Sequence, residues 1–353
     1  MKRFFRVILV CINLIFALAL LLADLAGSVK PSASLSISLL SYGYLYILIA
    51  NTVFLIIWLC LRSRLFLISL VVILFKINYI PRYIQLGGVE ETEISDENSL
   101  KIMSFNTHVF RWTDTSSFST LRLIDEEQPD IICFQEFTIR LTYNILDSMR
   151  ARKYFYIHSR NKSADAVTGT SVFSRYPIVN KGVMNDGRAV FTDIKKNDSV
   201  FRVYSIHLDS YHLDDNDKSQ IDQLAHGNVD DSSRSTLRKF KKTLLKHETE
   251  VETLGESIEK CGIPMILCGD FNDPPASYAY NYLRQYFKDS YCEQGRGAGT
   301  TFNGMFRNLR IDYVFHDDNF KVLAYKTVNC DISDHYPLIV TLQRETAEPD
   351  NVK

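Results

Sequence analysis

A short apolar run, Met265 to Cys268, leads into Gly-Asp-Phe-Asn-Asp-Pro-Pro at residues 269–275. The run has no helical period and is closed by a glycine and two prolines, which predicts a buried strand that stops abruptly. Asp270 and Asn272, one residue apart, then leave the same side of an extended chain. A carboxylate beside an amide at the carboxyl end of a strand suits a ligand site, because α/β sheets bind substrates at that edge. It suits equally an Asx-turn, in which both side chains bond their own backbone.

The other strand ends weigh on that choice. Leu100–Phe105 reads as a strand ending in Asn106-Thr107-His108, and Asp130–Gln135 as one ending at Glu136. Val200–Ile206 ends in His207-Leu208, and Ser333-Asp334-His335 stands just before a strand over Tyr336–Leu342. Asp312 lies within the apolar run Arg310–Phe315, where a carboxylate is costly without a partner. One polar strand end is ordinary turn chemistry. Acid, amide and imidazole groups recurring at the ends of separate strands are hard to explain that way. Carboxylates and amides with few thiols suit a hard cation, Mg²⁺ or Mn²⁺. Two histidines add acid–base capacity near neutral pH. No Gly-x-Ser-x-Gly elbow, Walker loop or His-Glu-x-x-His motif is present.

These segments carry a resemblance. Met-Ser-Phe-Asn-Thr-His at 103–108, Phe-Gln-Glu at 134–136, Ser-Ile-His-Leu at 205–208, Gly-Asp-Phe-Asn at 269–272, Arg-Ile-Asp-Tyr at 310–313 and Ser-Asp-His-Tyr-Pro at 333–337 resemble, in order, the motifs of the endonuclease/exonuclease/phosphatase superfamily. That group includes DNase I-like nucleases, neutral sphingomyelinases and inositol phosphatases. The resemblance implies an α/β fold, a four-layer α/β sandwich of two mostly antiparallel sheets flanked by helices. It implies that Glu136 binds the metal with Asn106 and Asp334 near it, and that Asp270 positions or deprotonates the attacking water. Asn272 would bond the phosphoryl oxygens, Asp312 would orient His335, and His207 would be the second histidine that sphingomyelinases and DNase I carry. A glutamate that partners the second histidine in some members has no counterpart that the sequence locates.

The elements that must position these groups fill residues 100–343. Helical spacing is expected over Ser116–Gln128, Ile139–Met149, Ser232–Lys260 and Ser277–Tyr286. Further strands are expected over Tyr154–His158, Gly169–Ser174, Ile178–Met184, Ala189–Ile194 and Phe320–Val328. Residues 209–231 read as a polar loop around a short helix. Asp214, Asp215 and Asp217 could hold calcium there, but the segment lacks the glycine and terminal glutamate of an EF-hand loop, which favours a solvated loop.

The front of the chain is of another kind. Of 40 bases and 41 acids, eight bases and one acid fall in residues 1–85, so residues 86–353 hold 32 bases and 40 acids, a net charge of −8. An acidic domain is a poor non-specific binder of polyanions, although a bound cation would change the local field. Residues 1–85 are expected to form a transmembrane region of three helices (7–26, 35–61 and 65–81), followed by a linker (86–99), the catalytic domain (100–343) and a tail (344–353). The run 35–61 is uncharged and long enough to cross about 30 Å of hydrocarbon. Arg62 and Arg64 share a turn that belongs with Lys2, Arg3 and Arg6 on the cytoplasmic side. Three spans then make a multi-pass membrane protein with the catalytic domain extracytoplasmic, and the bilayer is a partner through these helices. Seven cysteines show no metal spacing. Cys133 and Cys268 read as buried small hydrophobes, and a Cys292–Cys330 disulfide is open. The reading is a membrane-anchored, Mg²⁺- or Mn²⁺-dependent phosphoesterase acting on phosphodiesters of nucleic acid, phospholipid or another small phosphoester. The alternative from another class is a non-catalytic membrane scaffold on a degenerate phosphoesterase fold.

Overall fold

In the computed structural model, the residues described are 2–88, 99–113, 115–138, 145–161, 169–213, 216–217, 219–220, 231–304 and 309–345. Most of the expected linker, the tail beyond 345, the start of the helix expected from Ile139, and Asp214 and Asp215 lie outside them. The chain forms two compact units. The first joins residues 1–83, 211–249 and 273–283; the second joins 84–210, 250–272 and 284–353.

The second unit holds two six-stranded sheets. In one the order is β13 (Phe320–Thr327), β14 (Leu338–Arg344), β2 (Ser99–Asn106), β3 (Ile131–Phe137), β5 (Gly169–Ser174), β4 (Tyr156–Asn161). In the other it is β10 (Lys288–Asp289), β12 (Asp312–His316), β9 (Met265–Asp270), β8 (Ser199–His207), β7 (Ala189–Lys196), β6 (Ile178–Met184). Pairing is antiparallel except at β2–β3 and β8–β9, which lie centrally in their sheets. A two-residue pair, β1 (Ile84–Gln85) with β11 (Gly297–Ala298), stands apart. Strand alternation builds two cores. Ile102, Cys133, Val172, Val203, Cys268, Val314 and Val340 share one buried cluster that draws on both sheets. Met103, Ile132, Phe134 and Phe173, one residue out of phase with Ile102, Cys133 and Val172, pack with Leu123 and Ile124 of α4 (Ser116–Glu127) and with Ile145 and Met149 of α5 (Ile145–Ala151). The period of two therefore sends one face of that sheet into the inner core and the other under helices. Cys292 and Cys330 are both free thiols.

The first unit is built on α1 (Lys2–Leu25), α2 (Leu35–Cys60) and α3 (Phe66–Phe75), with a 3-10 turn over Ile77–Arg82. α1 and α2 are each long and apolar enough to cross a membrane, a property that signal sequences and core helices share. Their apolar windows are only 17% and 28% buried, so Phe4, Leu18, Ile49 and Ile56 stand exposed, unlike the side chains of a core helix. α3 is a ten-residue helix, about 15 Å long and about half a hydrocarbon core. Lys76, at its end, does not reach outward but pairs with Asp24. α6 (Asp231–Glu259) begins in the first unit and ends in the second; α7 (Tyr278–Leu283) belongs to the first, α8 (Ser290–Gln294) to the second. Asp217 bonds Thr236 and Lys239.

Candidate active site

Sheet register brings the polar strand ends together. In one sheet His207 pairs with Asp270 across the parallel β8–β9 ladder, and Asp270 pairs with Asp312 across β9–β12. Three side chains from residues up to 105 positions apart thus stand in a row. Gly269 makes the row tight. Its φ is +151°, and a Cβ there would lie 2.0 Å from the Ile206 carbonyl oxygen, so only glycine fits this approach of two backbones.

In the other sheet Asn106 pairs with Gln135. The β3–β5 register then slips between Phe134 and Phe137, and Glu136 takes φ +49°. A bulge re-aims one side chain out of the alternation, and here it is the glutamate. Ser333 donates from Oγ to the Asn106 carbonyl at 2.9 Å, which ties the Ser333–His335 segment to the end of β2.

The groups meet at measurable distances. Asn106 donates from Nδ2 to Asp270 Oδ2 at 2.9 Å and lies 3.4 Å from Glu136 Oε1. Asn272 donates its backbone N–H to Asp270 Oδ1 at 2.8 Å and its amide Nδ2 to the Leu208 carbonyl at 3.1 Å. His335 Nδ1 lies 2.9 Å from Asp312 Oδ2, and its Nε2 lies 3.7 Å from Asp270 Oδ2. His207 Nε2 is 3.7 Å from both Glu136 Oε1 and Asp270 Oδ2, too far to bond either, and is buried without a hydrogen-bond partner. Those are the carboxylates within 4 Å of His207, so a further glutamate partner is not among the described residues.

Electrostatics follow from this crowding. Burial pushes Asp270 up to about 6, with His335 pulling the other way and Asp312 adding to the rise. Burial disfavours charge on His335, yet Asp312, Asp270 and Asp334 outweigh it and lift the ring to about 10. Asp334 is half-enclosed and burial works against its charge, but its bond to His108 and the nearby His335 hold it below the usual carboxylate range.

A family model described as the Endonuclease/Exonuclease/phosphatase family matches residues 103–335. The chain belongs to this family. A second model, Domain of unknown function (DUF8431), matches residues 5–83. Among solved structures, an endonuclease/exonuclease/phosphatase family protein from Bacteroides thetaiotaomicron is similar, at 18% identity and TM-score 0.50, covering 70% of this chain and 98% of that one. The human Nocturnin catalytic domain with bound sulfate (16%, TM-score 0.48, 70% and 95% covered) and the Bacteroides thetaiotaomicron mannosyl-6-phosphatase (18%, TM-score 0.46, 69% and 99% covered) are also similar. No curated protein matches the chain.

Endonuclease/exonuclease/phosphatase family members are phosphoester hydrolases and in general depend on a divalent metal. The residues here fit one. Glu136, Asp334 and the amide oxygen of Asn106 are all-oxygen donors, the set a hard cation takes, and the Glu136 side chain is 24% exposed where Asp270 is closed off at 1%. A second trio, Asp270, Asp312 and His335, has ligand atoms within 4.8 Å of one another. In that trio His335 Nδ1 already occupies Asp312, as His108 occupies Asp334 and the Asn106 amide oxygen in the first set.

Sequence reading did not assign His108 a role. Its Nδ1 lies 3.2 Å from Asp334 Oδ1, and its backbone N–H donates to Asn106 Oδ1 at 3.0 Å. The bond to Asp334 raises its pKa, against burial. His108, Val109 and Phe110 all have positive φ (45°, 58° and 56°). Strain in three consecutive non-glycine residues, one of them β-branched, is the kind held at functional sites. Arg188, which pairs with Asp209 and with Glu250 at 3.2 Å, was likewise unassigned; its carbonyl accepts the His207 N–H at 2.7 Å.

Proposed function

We propose that the protein is a membrane-tethered, Mg²⁺-dependent phosphodiesterase whose site residues are Asn106, Glu136, His207, Asp270, Asn272, Asp312, Asp334 and His335. The observation that carries the reading is the row His207–Asp270–Asp312–His335. It combines a buried carboxylate near neutral pKa, a cationic imidazole and an imidazole nitrogen with no hydrogen-bond partner among the described residues. A scaffold would gain nothing from burying an imidazole nitrogen unsatisfied beside two carboxylates.

Bound by Glu136, Asn106 and Asp334, the ion would supply positive charge to the phosphoryl oxygens. The chain's own groups do the rest. Asp270, with one oxygen held by the Asn272 N–H and the other by Asn106, accepts the proton of the attacking water. Its pKa near 6 leaves it ionised yet basic at neutrality. His335 stays protonated through Asp312 and donates from Nε2 to a phosphoryl oxygen. Asn272, oriented by the Leu208 carbonyl, bonds a second phosphoryl oxygen. His207 Nε2 serves the departing oxygen. A diester fits this set, because its leaving group needs a proton donor and it carries one phosphoryl charge rather than two.

The tether and its side rest on the first unit. Arg6 bonds Ser63 at 3.0 Å, which gathers Lys2, Arg3, Arg6, Arg62 and Arg64 at one end of the helices. At the other end, Ser32 bonds Glu248 of α6 through its N–H and Oγ, and Arg82 bonds Asn281 of α7 at 2.8 Å. Glu248 of α6 and Asn281 of α7 therefore lie at the end opposite the basic cluster. Basic ends stay cytoplasmic, so this supports an extracytoplasmic catalytic domain.

The test is hydrolysis of bis-p-nitrophenyl phosphate by purified full-length protein with Mg²⁺, with Mn²⁺ and with EDTA. A panel of DNA, RNA, sphingomyelin and phosphoinositides follows. Mg²⁺-dependent turnover abolished by EDTA is expected. Activity unaffected by EDTA would remove the metal from the reading, and no turnover of any ester would remove the hydrolase.

A further inference from the structure

Two of the strands that present the catalytic row, β8 and β9, run on in sequence into one buried polar knot of the first unit. Asp273 follows Asn272 directly, and Tyr211 lies four residues beyond His207. Asp273 is 1% exposed. Its Oδ1 accepts the Tyr211 hydroxyl at 2.9 Å and also the hydroxyl of Tyr42, which comes from α2. The two hydroxyls also touch each other, so their two protons are shared among three oxygen contacts, and the rings meet edge to face at 5.7 Å. The other oxygen of Asp273 lies 3.1 Å from Nδ1 of His247, a buried residue of α6. Phe240 of α6 closes the knot over both tyrosine rings.

Such a knot is more than an anchor needs. A tether that only held the domain at a membrane could join it by any flexible linker. Instead a hydroxyl from an N-terminal helix completes the partners of a buried carboxylate, three residues past Asp270. A buried carboxylate held by several donors is fixed in place, and losing one donor loosens what it holds.

We infer that Tyr42 is a positioning residue for catalysis: through Asp273 and Tyr211 it fixes the two chain segments that carry Asp270, Asn272 and His207. The N-terminal helices are then a working part of the enzyme. The inference rests on the catalytic reading above for what those segments do, but not for whether they are fixed.

Amide hydrogen exchange on the full-length protein in detergent separates the two. The reporters are the N–H groups of Leu208, which donates to the Asp270 carbonyl at 3.0 Å, and of Asn272, which donates to Asp270 Oδ1. Tyr42→Phe should speed exchange at both by about tenfold, and Tyr42→Phe/Tyr211→Phe by more. Ile102 and Val340, buried in the second unit's core, should exchange as in the wild type. Tyr46→Phe, on the exposed side of α2, should change nothing. On a substrate that the wild type hydrolyses, Tyr42→Phe should lower kcat about tenfold and move KM less than twofold. Unchanged exchange at Leu208 and Asn272 in Tyr42→Phe would overturn the inference, as would equal acceleration at Ile102 and Val340. A wild type that hydrolyses nothing would sink the catalytic reading and leave the exchange result to decide this one.

Discussion

Two sets of buried polar groups are treated in opposite ways. Inside the N-terminal helices, Asn13 is fully buried and used at both ends of its amide: Nδ2 donates to Ser69 at 2.8 Å, and Oδ1 accepts the Trp58 indole at 2.9 Å. At the sheet edges, His207 Nε2 is buried with no partner and Asp270 is pushed up to about 6. Closed polar networks specify packing; open ones cost stability and are kept where something else must bind.

The sharpest way to break that contrast is Asp270→Asn. Removing the base should cut kcat by about 10²–10⁴. An Asp270→Asn protein that keeps more than a tenth of wild-type kcat would refute the assignment of the base. His207→Ala comes next. If Nε2 serves the leaving group, the loss should be about 10² on a natural diester and only a few-fold on a nitrophenyl ester, whose leaving group needs no proton. Equal losses on both would make His207 a phosphate-binding or structural group. Asn13→Leu probes the closed side. It strands the Trp58 N–H and should destabilise the helical unit by about 1–2 kcal/mol, seen as a lower denaturation midpoint with kcat unchanged.

The smallest effect expected is at Glu127, away from both places. Burial raises its pKa, but bonds to Lys326 and Lys101 outweigh that and leave it lowered. The folded form therefore gains stability from the ionised carboxylate above its unfolded pKa, about 4.3, and loses it as pH falls through the lower folded value. Wild type and Glu127→Gln should differ at pH 7 and converge once the pH falls below the folded value. A gap in melting temperature that does not narrow on acidification would mean the two lysines matter through packing alone.

Much of the sheet framework and the residue types of the site were legible because apolar runs of four to eight residues with polar stops need no tertiary knowledge. What was not legible depends on register. Nothing local pairs His207 with Asp270 or Asp270 with Asp312, because a ladder between distant segments is fixed by packing elsewhere. Glu136 illustrates the gap: its position was readable, but the bulge and positive φ that aim it belong to the β3–β5 pairing. Asp312 was read as lying within its strand and is instead the first residue. The pairs β1, β10 and β11 escaped because two residues carry no period. His108 escaped because a histidine just past a strand end is ordinary until Asp334, 226 positions on, is seen beside it. In α3 the apolar run suggested a longer helix; the α-helix stops at Phe75, and the chain continues as a 3-10 turn over Ile77–Arg82 with Pro81 inside it.

The first unit is assembled from three separated stretches of chain, the last of which ends at Leu283. On a ribosome this becomes a matter of timing. The helices over residues 1–83 are made first, and the segment that completes their own unit is translated about 200 residues later. At about 5–20 residues per second that is a wait of about 10–40 s. Throughout it Tyr42 has no Asp273 to bond. The nascent helices must hold together on what they already contain, the Asn13–Trp58–Ser69 network and the Asp24–Lys76 pair. Early self-sufficiency of the helices and late closure of the knot are thus built into the order in which the chain is read.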